Sequence, residues 1–291
     1  MALVTIITPT YNRAHTLRAL YESLCEQDSN NFEWLIVDDG SNDNTEEVVK
    51  AFINQEDFKI HYIKKENGGK HTAVNVGVKM IATPLTMIVD SDDKLLKNAV
   101  CEIEEIYKKY YLNERVASYA FLRAYSNGMP IISVEKDEFL GNYISYRIKG
   151  NKPGDMAEVF RTEVLKANPF PEFKSERFLS EDVCWIEIAK KYDTVFINKP
   201  IYECEYLEGG LTANDKPMKF ASPLGSMLRG KQLMSKECGL KVRIKGAIIY
   251  NCYKMCVDKK LPEALKLIGL NKVFQVITIP LGVVFFKKWN K

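Results

Sequence analysis

The most constraining feature of this chain is a repeated alternation in its first hundred residues. β-Branched apolar runs alternate with segments of helical periodicity. Leu3-Val4-Thr5-Ile6-Ile7-Thr8 predicts a strand, stopped at Pro9. Apolar Leu17, Leu20, Tyr21 and Leu24 share one face of a helix expected over Ala14 to Cys25. Phe32–Val37 predicts the second strand, and Asp43-Asn44-Thr45 starts a helix carrying Val48, Val49 and Phe52. Lys59–Ile63, a helix near Thr72–Ile81 and the run Thr86-Met87-Ile88-Val89 continue the pattern. Such alternation implies an α/β fold with a mostly parallel, Rossmann-like sheet flanked by helices.

In such sheets ligands bind outside the carboxyl ends of the strands. Four polar clusters fall there: Thr10–Asn12, Asp38–Ser41, Asn67–Lys70 and Asp90–Asp93. The last holds three carboxylates in four positions at the end of a buried strand. Like charges so gathered call for a cation, and hard Mg²⁺ or Mn²⁺ takes one or two carboxylates plus substrate phosphates. The competing reading is an acidic turn, with Asp93 capping a helix from Lys94. Gly68-Gly69 lets backbone approach a phosphate, Lys70 supplies charge near a helix start, and Tyr11 offers a ring for stacking. Asp38-Asp39-Gly40-Ser41 also reads as a turn with a cap, and Gly68-Gly69 as a plain loop.

These residues, in this order and spacing, resemble the family 2 glycosyltransferases of GT-A fold. The resemblance rests on Thr8-Pro9-Thr10-Tyr11-Asn12-Arg13, Val37-Asp38-Asp39-Gly40-Ser41 with Asp43 and Thr45, Asn67-Gly68-Gly69-Lys70, and Asp90-Ser91-Asp92-Asp93. It implies a UDP-sugar donor held by Pro9, Thr10, Tyr11, Arg13, Asp39, Asn67, Gly68, Lys70, Asp90 and Ser91. Within that set it implies Asp39 at the uracil, Asp90 near the ribose and Asp92 as direct ligand of a divalent metal, Mn²⁺ or Mg²⁺. A nucleotidyltransferase would carry a Gly-rich basic loop where Pro9–Arg13 stands. A non-catalytic scaffold would not need Asp90, Asp92 and Asp182 together.

From Ala117 to about Ile148 the pattern loosens. Ser118–Leu122, Pro130–Val134, Met156–Arg161, Thr194–Ile197 and Pro200–Tyr202 read as short strands, and Glu135–Tyr146 as irregular. Arg161 reads as a solvated charge at a strand end in preference to a phosphate contact, and His71 as an exposed helix-start histidine in preference to a donor contact beside Lys70. Ser180 is a good N-cap with Glu181 and Asp182 in the first helical turn. That pair either stabilises the helix start or supplies a general base. The resemblance points to Asp182 as base, with Glu181 as its neighbour, and implies a single inverting displacement. The resemblance implies a loop over the donor here, and Gly209-Gly210 fits its being mobile.

We expect a catalytic domain over 1–213, with a nucleotide-sugar half (1–115) and an acceptor half (116–213), and a helical C-terminal extension over 214–291. The apolar run 273–286 precedes Lys287-Lys288-Trp289-Asn290-Lys291. As one helix it reaches about 21 Å against about 30 Å of bilayer hydrocarbon. It does not span, Pro280 would kink it, and contact through 273–291 with a membrane surface fits better than burial. Together with the resemblance, which implies bacterial surface polysaccharide synthesis, that favours a lipid-linked glycan acceptor and a place at the inner face of the cell membrane. A net charge of +3 gives no nucleic-acid signature. The run from Met1 straight into strand-like sequence shows no secretory signal. Seven scattered cysteines without a Cys-x-x-Cys fit a reducing, cytoplasmic setting. Sugar, acceptor linkage and oligomeric state have no sequence signal.

Overall fold

The computed structural model describes residues 2–204, 215–257 and 260–289. The chain forms two compact units. The first comprises Met1–Gly141, Pro153–Pro169 and Lys191–Glu205; the second comprises Asn142–Lys152, Phe170–Lys190 and Tyr206–Lys291.

The first unit opens with β1 (Val4–Thr10), α1 (Ala14–Cys25), β2 (Phe32–Asp38), α2 (Thr45–Ile53), β3 (Ile60–Lys64), α3 (Lys70–Met80) and β4 (Leu85–Ile88). It continues with β5 (Lys94–Leu95), α4 (Ala99–Tyr110), β6 (Val116–Ala124), β7 (Glu138–Gly141), β8 (Met156–Arg161), α5 (Thr162–Ala167) and, after residues of the second unit, β9 (Asp193–Glu203). Its sheet runs β3-β2-β1-β4-β8-β6-β9-β5, with β7 beside β9. Pairing is parallel through β3-β2-β1-β4 and between β6 and β9; the other pairs are antiparallel. All seven residues of β1 are buried, as a central strand covered on both faces requires. Tyr21, Trp34 and Phe52 anchor the core on one side, Tyr21 stacking on Phe52 at 4.2 Å.

β1 does not stop at Pro9. Ile7 accepts from Val89 N–H on the β4 side, whereas Thr10 accepts from Asp39 N–H on the β2 side. Pro9 therefore faces β4, whose pairing with β1 ends at Ile7–Ile88. Its missing N–H coincides with the end of that pairing, while β1 continues beside β2 alone as far as Thr10–Asp38, the edge condition under which strands accept proline.

Four further expectations give way. Residues 130–134 form only an isolated bridge, Ala124–Pro130, and Val134 N–H donates to the Asn198 side chain at 3.3 Å instead of to a strand. Part of the supposedly irregular 135–146 is β7, whose Phe139 stacks on Phe196 at 5.1 Å. Thr194–Ile197 and Pro200–Tyr202 are one strand, β9, because irregular register on both sides of Leu122–Pro200 absorbs the proline. Arg161 is not solvated: its guanidinium donates to the carbonyls of Tyr111 (2.8 Å) and Asn113 (3.0 Å), tying down the end of α4.

The second unit is helical. Residues 144–149 form a π-helical turn. Then come α6 (Asp182–Ala189), α7 (Asp215–Ala221), α8 (Pro223–Leu233), α9 (Gly239–Lys254), α10 (Gly269–Ile277) and α11 (Ile279–Trp289). α8 and α9 cross closely because Gly230 meets Gly246. A Cβ on Gly230 would lie 2.8 Å from the Gly246 carbonyl oxygen, and the reverse 2.6 Å. Asn251 of α9 holds α10: its amide donates to Gln275 O (2.7 Å), and Gln275 returns a bond to Asn251 Oδ1 (2.8 Å).

The apolar run near the end is two helices bent by 60° rather than one kinked at Pro280. The break is at Thr278, whose hydroxyl donates back to Phe274 O at 2.8 Å. Pro280 falls in the first turn of α11, where no N–H is needed. Among the described residues no single helix is long and apolar enough to cross a membrane; the bent pair passes that test by length and composition together.

Candidate active site

Strand order 3-2-1-4 places β2 and β4 on opposite sides of β1, so the sheet's switch point lies where β1 and β4 end. Two chain segments meet there through an ion pair, Arg13 Nη1 to Asp92 Oδ2 at 3.2 Å. Arg13 precedes α1, and Asp92 follows β4. Asn12 stands beside it at φ +52°, a left-handed conformation that Asn tolerates. Its N–H donates to Ser41 Oγ at 2.9 Å, and its Oδ1 accepts from Asn42 N–H at 2.8 Å. Tyr11 is exposed, while Pro9, Thr10 and Ser91 are buried.

Asp39 is the node of this edge. Its Oδ1 accepts from Lys65 Nζ (2.6 Å) and Gly68 N–H (2.9 Å); its Oδ2 accepts from Gly69 N–H (2.7 Å) and Asn67 Nδ2 (3.2 Å). A carboxylate has about four lone-pair positions, and all are taken. A ligand donor reaching Asp39 must displace Lys65 or Asn67. Lys65 was not foreseen; a basic residue two positions before Asn67-Gly68 was the available signal. Neighbouring Asp38 accepts from Ser41 N–H and the Tyr62 hydroxyl, both at 2.7 Å.

Lys70 pairs with Asp90. Burial alone would raise the Asp90 pKa, but Lys70, Arg123 and Arg13 outweigh it and hold the carboxyl below its ordinary range. Asp93 goes the other way. Burial first, then the Asp90 charge, pushes it up to about 7, against the Tyr202 hydrogen bond and Arg123. Asp93 is therefore no helix cap. It accepts from the Tyr202 hydroxyl at 2.6 Å, and Lys94-Leu95 is a strand paired with β9. The Arg123 guanidinium lies 4.3 Å from the Tyr202 ring centroid. Arg123 and Tyr202 lie on β6 and β9, far along the chain from Asp93, so no local pattern marks them. His71 is buried, not exposed, because α3 packs against β1 and β2.

Asp182 and Glu181 belong to the second unit, at the start of α6. Ser180 does not cap that helix; its hydroxyl donates to Asp182 Oδ1 at 2.6 Å. Arg229 Nε donates to both Asp182 oxygens, at 2.9 and 2.7 Å. Arg229 was missed because its partner is 47 residues away. The loop at Gly209-Gly210 lies outside the described residues.

A divalent metal fits this donor set. Asp90 and Asp92 are hard oxygen donors, about a quarter exposed, at a strand end. Among the described residues no three His, Cys, Asp or Glu side chains form a cage. That suits an ion whose coordination a diphosphate completes.

The family description "Glycosyl transferase family 2" matches residues 5–160, more than half of the chain. An uncharacterized glycosyltransferase of Rickettsia felis is 32% identical over 222 residues, covering 75% of this chain and 35% of that protein. Staphylococcus aureus TarS, a poly(ribitol-phosphate) beta-N-acetylglucosaminyltransferase, is 29% identical over 180 residues, covering 59% of this chain and 30% of TarS. The chain thus spans about a third of the length of these curated relatives. The solved structure of S. aureus TarS 1–349 with UDP-GlcNAc shares the fold at TM-score 0.65 and 18% identity, over 87% of this chain and 72% of that one. The mannosyltransferase PcManGT of Pyrobaculum calidifontis, solved with GDP-Man and Mn²⁺, gives TM-score 0.58 at 17% identity, over 99% and 87%. These neighbours establish the fold as that of the GT-A glycosyltransferases, and the profile match over residues 5–160 makes this chain a member of glycosyltransferase family 2.

Proposed function

We propose that this chain is an inverting glycosyltransferase. It moves a sugar from UDP to a hydroxyl of a lipid-linked glycan, in bacterial surface polysaccharide synthesis at the inner face of the cell membrane. The observation that carries the donor reading is the pair of ion pairs at the ends of β1 and β4, Arg13 with Asp92 and Lys70 with Asp90. The UDP complexes of TarS favour uridine over other nucleotides.

In this reading the uracil lies at Tyr11 and Asp39, entering by displacing Lys65 or Asn67. Asp90 takes the ribose. Lys70 and the Gly68 backbone face the diphosphate. Asp92 would hold Mn²⁺ or Mg²⁺, which when bound offsets charge gathering on the diphosphate. Asp182, oriented by Arg229 and Ser180, takes the acceptor hydroxyl proton as its oxygen bonds to the anomeric carbon. The bond from that carbon to the diphosphate breaks in the same displacement, its electron pair leaving with UDP. Glu181 is the adjacent acidic group. At the membrane, exposed Leu270, Val273, Val276, Ile277, Leu281 and Val284 on α10 and α11, with Lys287 and Lys288 after them, supply an apolar face and basic charge.

The test is transfer from a panel of radiolabelled UDP-sugars onto a bacterial lipid extract, with Asp182→Asn as control. Transfer lost in the variant while UDP binding persists supports the assignment. Undiminished transfer by Asp182→Asn refutes the role of Asp182, and no transfer or UDP binding from folded protein refutes the activity.

A further inference from the structure

Asp90–Asp93 close as a turn at the end of β4, with Asp93 N–H donating to Asp90 O at 3.2 Å. A single side chain from β9 ties both ends of that turn. The Tyr202 hydroxyl accepts from Asp90 N–H at 3.1 Å and donates to Asp93 Oδ2 at 2.6 Å. Asp92 sits between the two tied residues, and 109 positions separate Asp93 from the tyrosine that holds it. The chain after the turn is fixed to the same strand. Leu95 pairs with Tyr202, and Leu96 N–H donates to Ile201 O at 2.9 Å.

The tyrosine is itself held. Its side chain is fully buried, with the Arg123 guanidinium over the ring. Arg123 lies on β6, between β8 and β9, and reaches toward both. Its Nε donates to Met156 O of β8 at 2.9 Å, and its Nη1 stands 3.9 Å from Asp93 Oδ2. Burying a guanidinium, a phenol hydroxyl and a carboxylate together is a poor route to stability, since apolar side chains of similar volume often do as well or better. What apolar packing would not supply is a hydrogen bond at each end of the turn. Groups that orient a metal's ligands govern its affinity, and losing one typically costs about ten- to a hundredfold.

We propose that Tyr202 and Arg123 are positioning residues for the turn that presents Asp92 to the metal. Tyr202 sets where the turn begins and ends, and Arg123 sets the Tyr202 ring. The inference rests on the reading of Asp92 as a metal ligand. It assigns neither side chain a contact with the donor or the metal, so their effect passes through the turn.

The test is calorimetric titration of the full chain with UDP, at a fixed Mn²⁺ concentration and without Mn²⁺. The ratio of the two dissociation constants measures the coupling of metal to nucleotide. Tyr202→Phe keeps the ring and removes the hydroxyl; Arg123→Lys keeps the charge and removes the planar stack. Asn251→Ala, in the helical unit, is the destabilised control. The ratio should fall about tenfold in each of the two variants, while UDP affinity without metal stays near native. Asn251→Ala should keep the native ratio, because lost stability alone does not move it. A native ratio in folded Tyr202→Phe, or an equal fall in Asn251→Ala, overturns the proposal. Should Tyr202→Phe not fold, a native ratio in Arg123→Lys overturns it. A native chain that binds UDP without any response to Mn²⁺ sinks the metal reading on which the inference stands, whereas a native response with unchanged variants sinks the inference alone.

Discussion

Asp39→Asn should loosen the Asn67–Lys70 loop selectively. The carboxylate is 3% exposed and takes four donors. An amide keeps one acceptor oxygen and presents an NH₂ group where the other stood. If the oxygen stays with Lys65 and Gly68, the buried Gly69 N–H loses its acceptor and faces a donor, a loss of about 1–3 kcal/mol. Lys65, only 19% exposed, also loses its counter-charge. A charge-assisted bond contributes about 1.5–3 kcal/mol, so the two losses together come to about 2.5–6 kcal/mol. Hydrogen exchange at the Gly68 and Gly69 amides reads this locally. At about 1.4 kcal/mol per decade, exchange there should accelerate by about two to four orders of magnitude, with helix α1 little affected. Adding Lys65→Met should recover part of the loss, because it removes the stranded charge. Acceleration below fivefold, or equal acceleration throughout the first unit, would refute Asp39 as the loop's anchor.

Other perturbations have equally definite signs. In Gly77→Ala the new Cβ would sit 2.4 Å from Ile7 Cδ1 and 2.9 Å from Val37 Cγ2. Overpacking of about 1–3 kcal/mol exceeds the gain of about 1 kcal/mol in helix propensity, so urea unfolding should shift to lower concentration; a stabilised variant would contradict the α3–sheet contact. Asn251→Ala strands the Gln275 side chain and should destabilise the helical unit by about 1–3 kcal/mol in thermal unfolding, whereas an unchanged melt would mean the network contributes nothing. Burial raises the Asp43 pKa, but bonds from the Thr45 hydroxyl (2.6 Å) and Ala14 N–H (3.1 Å) outweigh it and set it below its ordinary value. Its folded pKa being the lower one, this stability is fully present above about pH 3.9 and is lost as pH falls through the folded value. Asp43→Asn should therefore flatten the acid limb of melting temperature against pH, and an acid limb as steep as before would rule out that contribution.

The first ninety residues were legible because local signals and tertiary outcome agree. The central strands β1, β2 and β4 are apolar runs, α1 and α2 carry apolar stripes, and every polar cluster falls at a carboxyl end. Pro9 shows the limit, since its tolerance depends on where the neighbouring β4 ends. Beyond residue 115 the strands pair across long separations. β9 joins β6 over nearly eighty residues with irregular register, and β7 is a half-buried strand without alternation. The polar residues gathered at the strand ends could be named from sequence, whereas the side chains that hold them could not. Lys65 left a faint trace beside the glycines, and Arg123, Tyr202 and Arg229 left none. Their roles arise from contacts that no spacing encodes. Arg161 and His71 went astray for a related reason: charge and position suggest solvent, while the carbonyls at the end of α4 and the packing of α3 supply the actual surroundings.

The central claim is a UDP-sugar site completed by a divalent metal at the ends of β1 and β4. Calorimetric titration of UDP with and without Mn²⁺, on the native chain and on Asp92→Ala, tests it most directly. The expected result is saturable binding that tightens with Mn²⁺ in the native chain and loses that response in Asp92→Ala, whose melting temperature stays near native. UDP binding that ignores both Mn²⁺ and the substitution would contradict the metal at Asp92, and no UDP binding by the folded native chain would contradict the site itself.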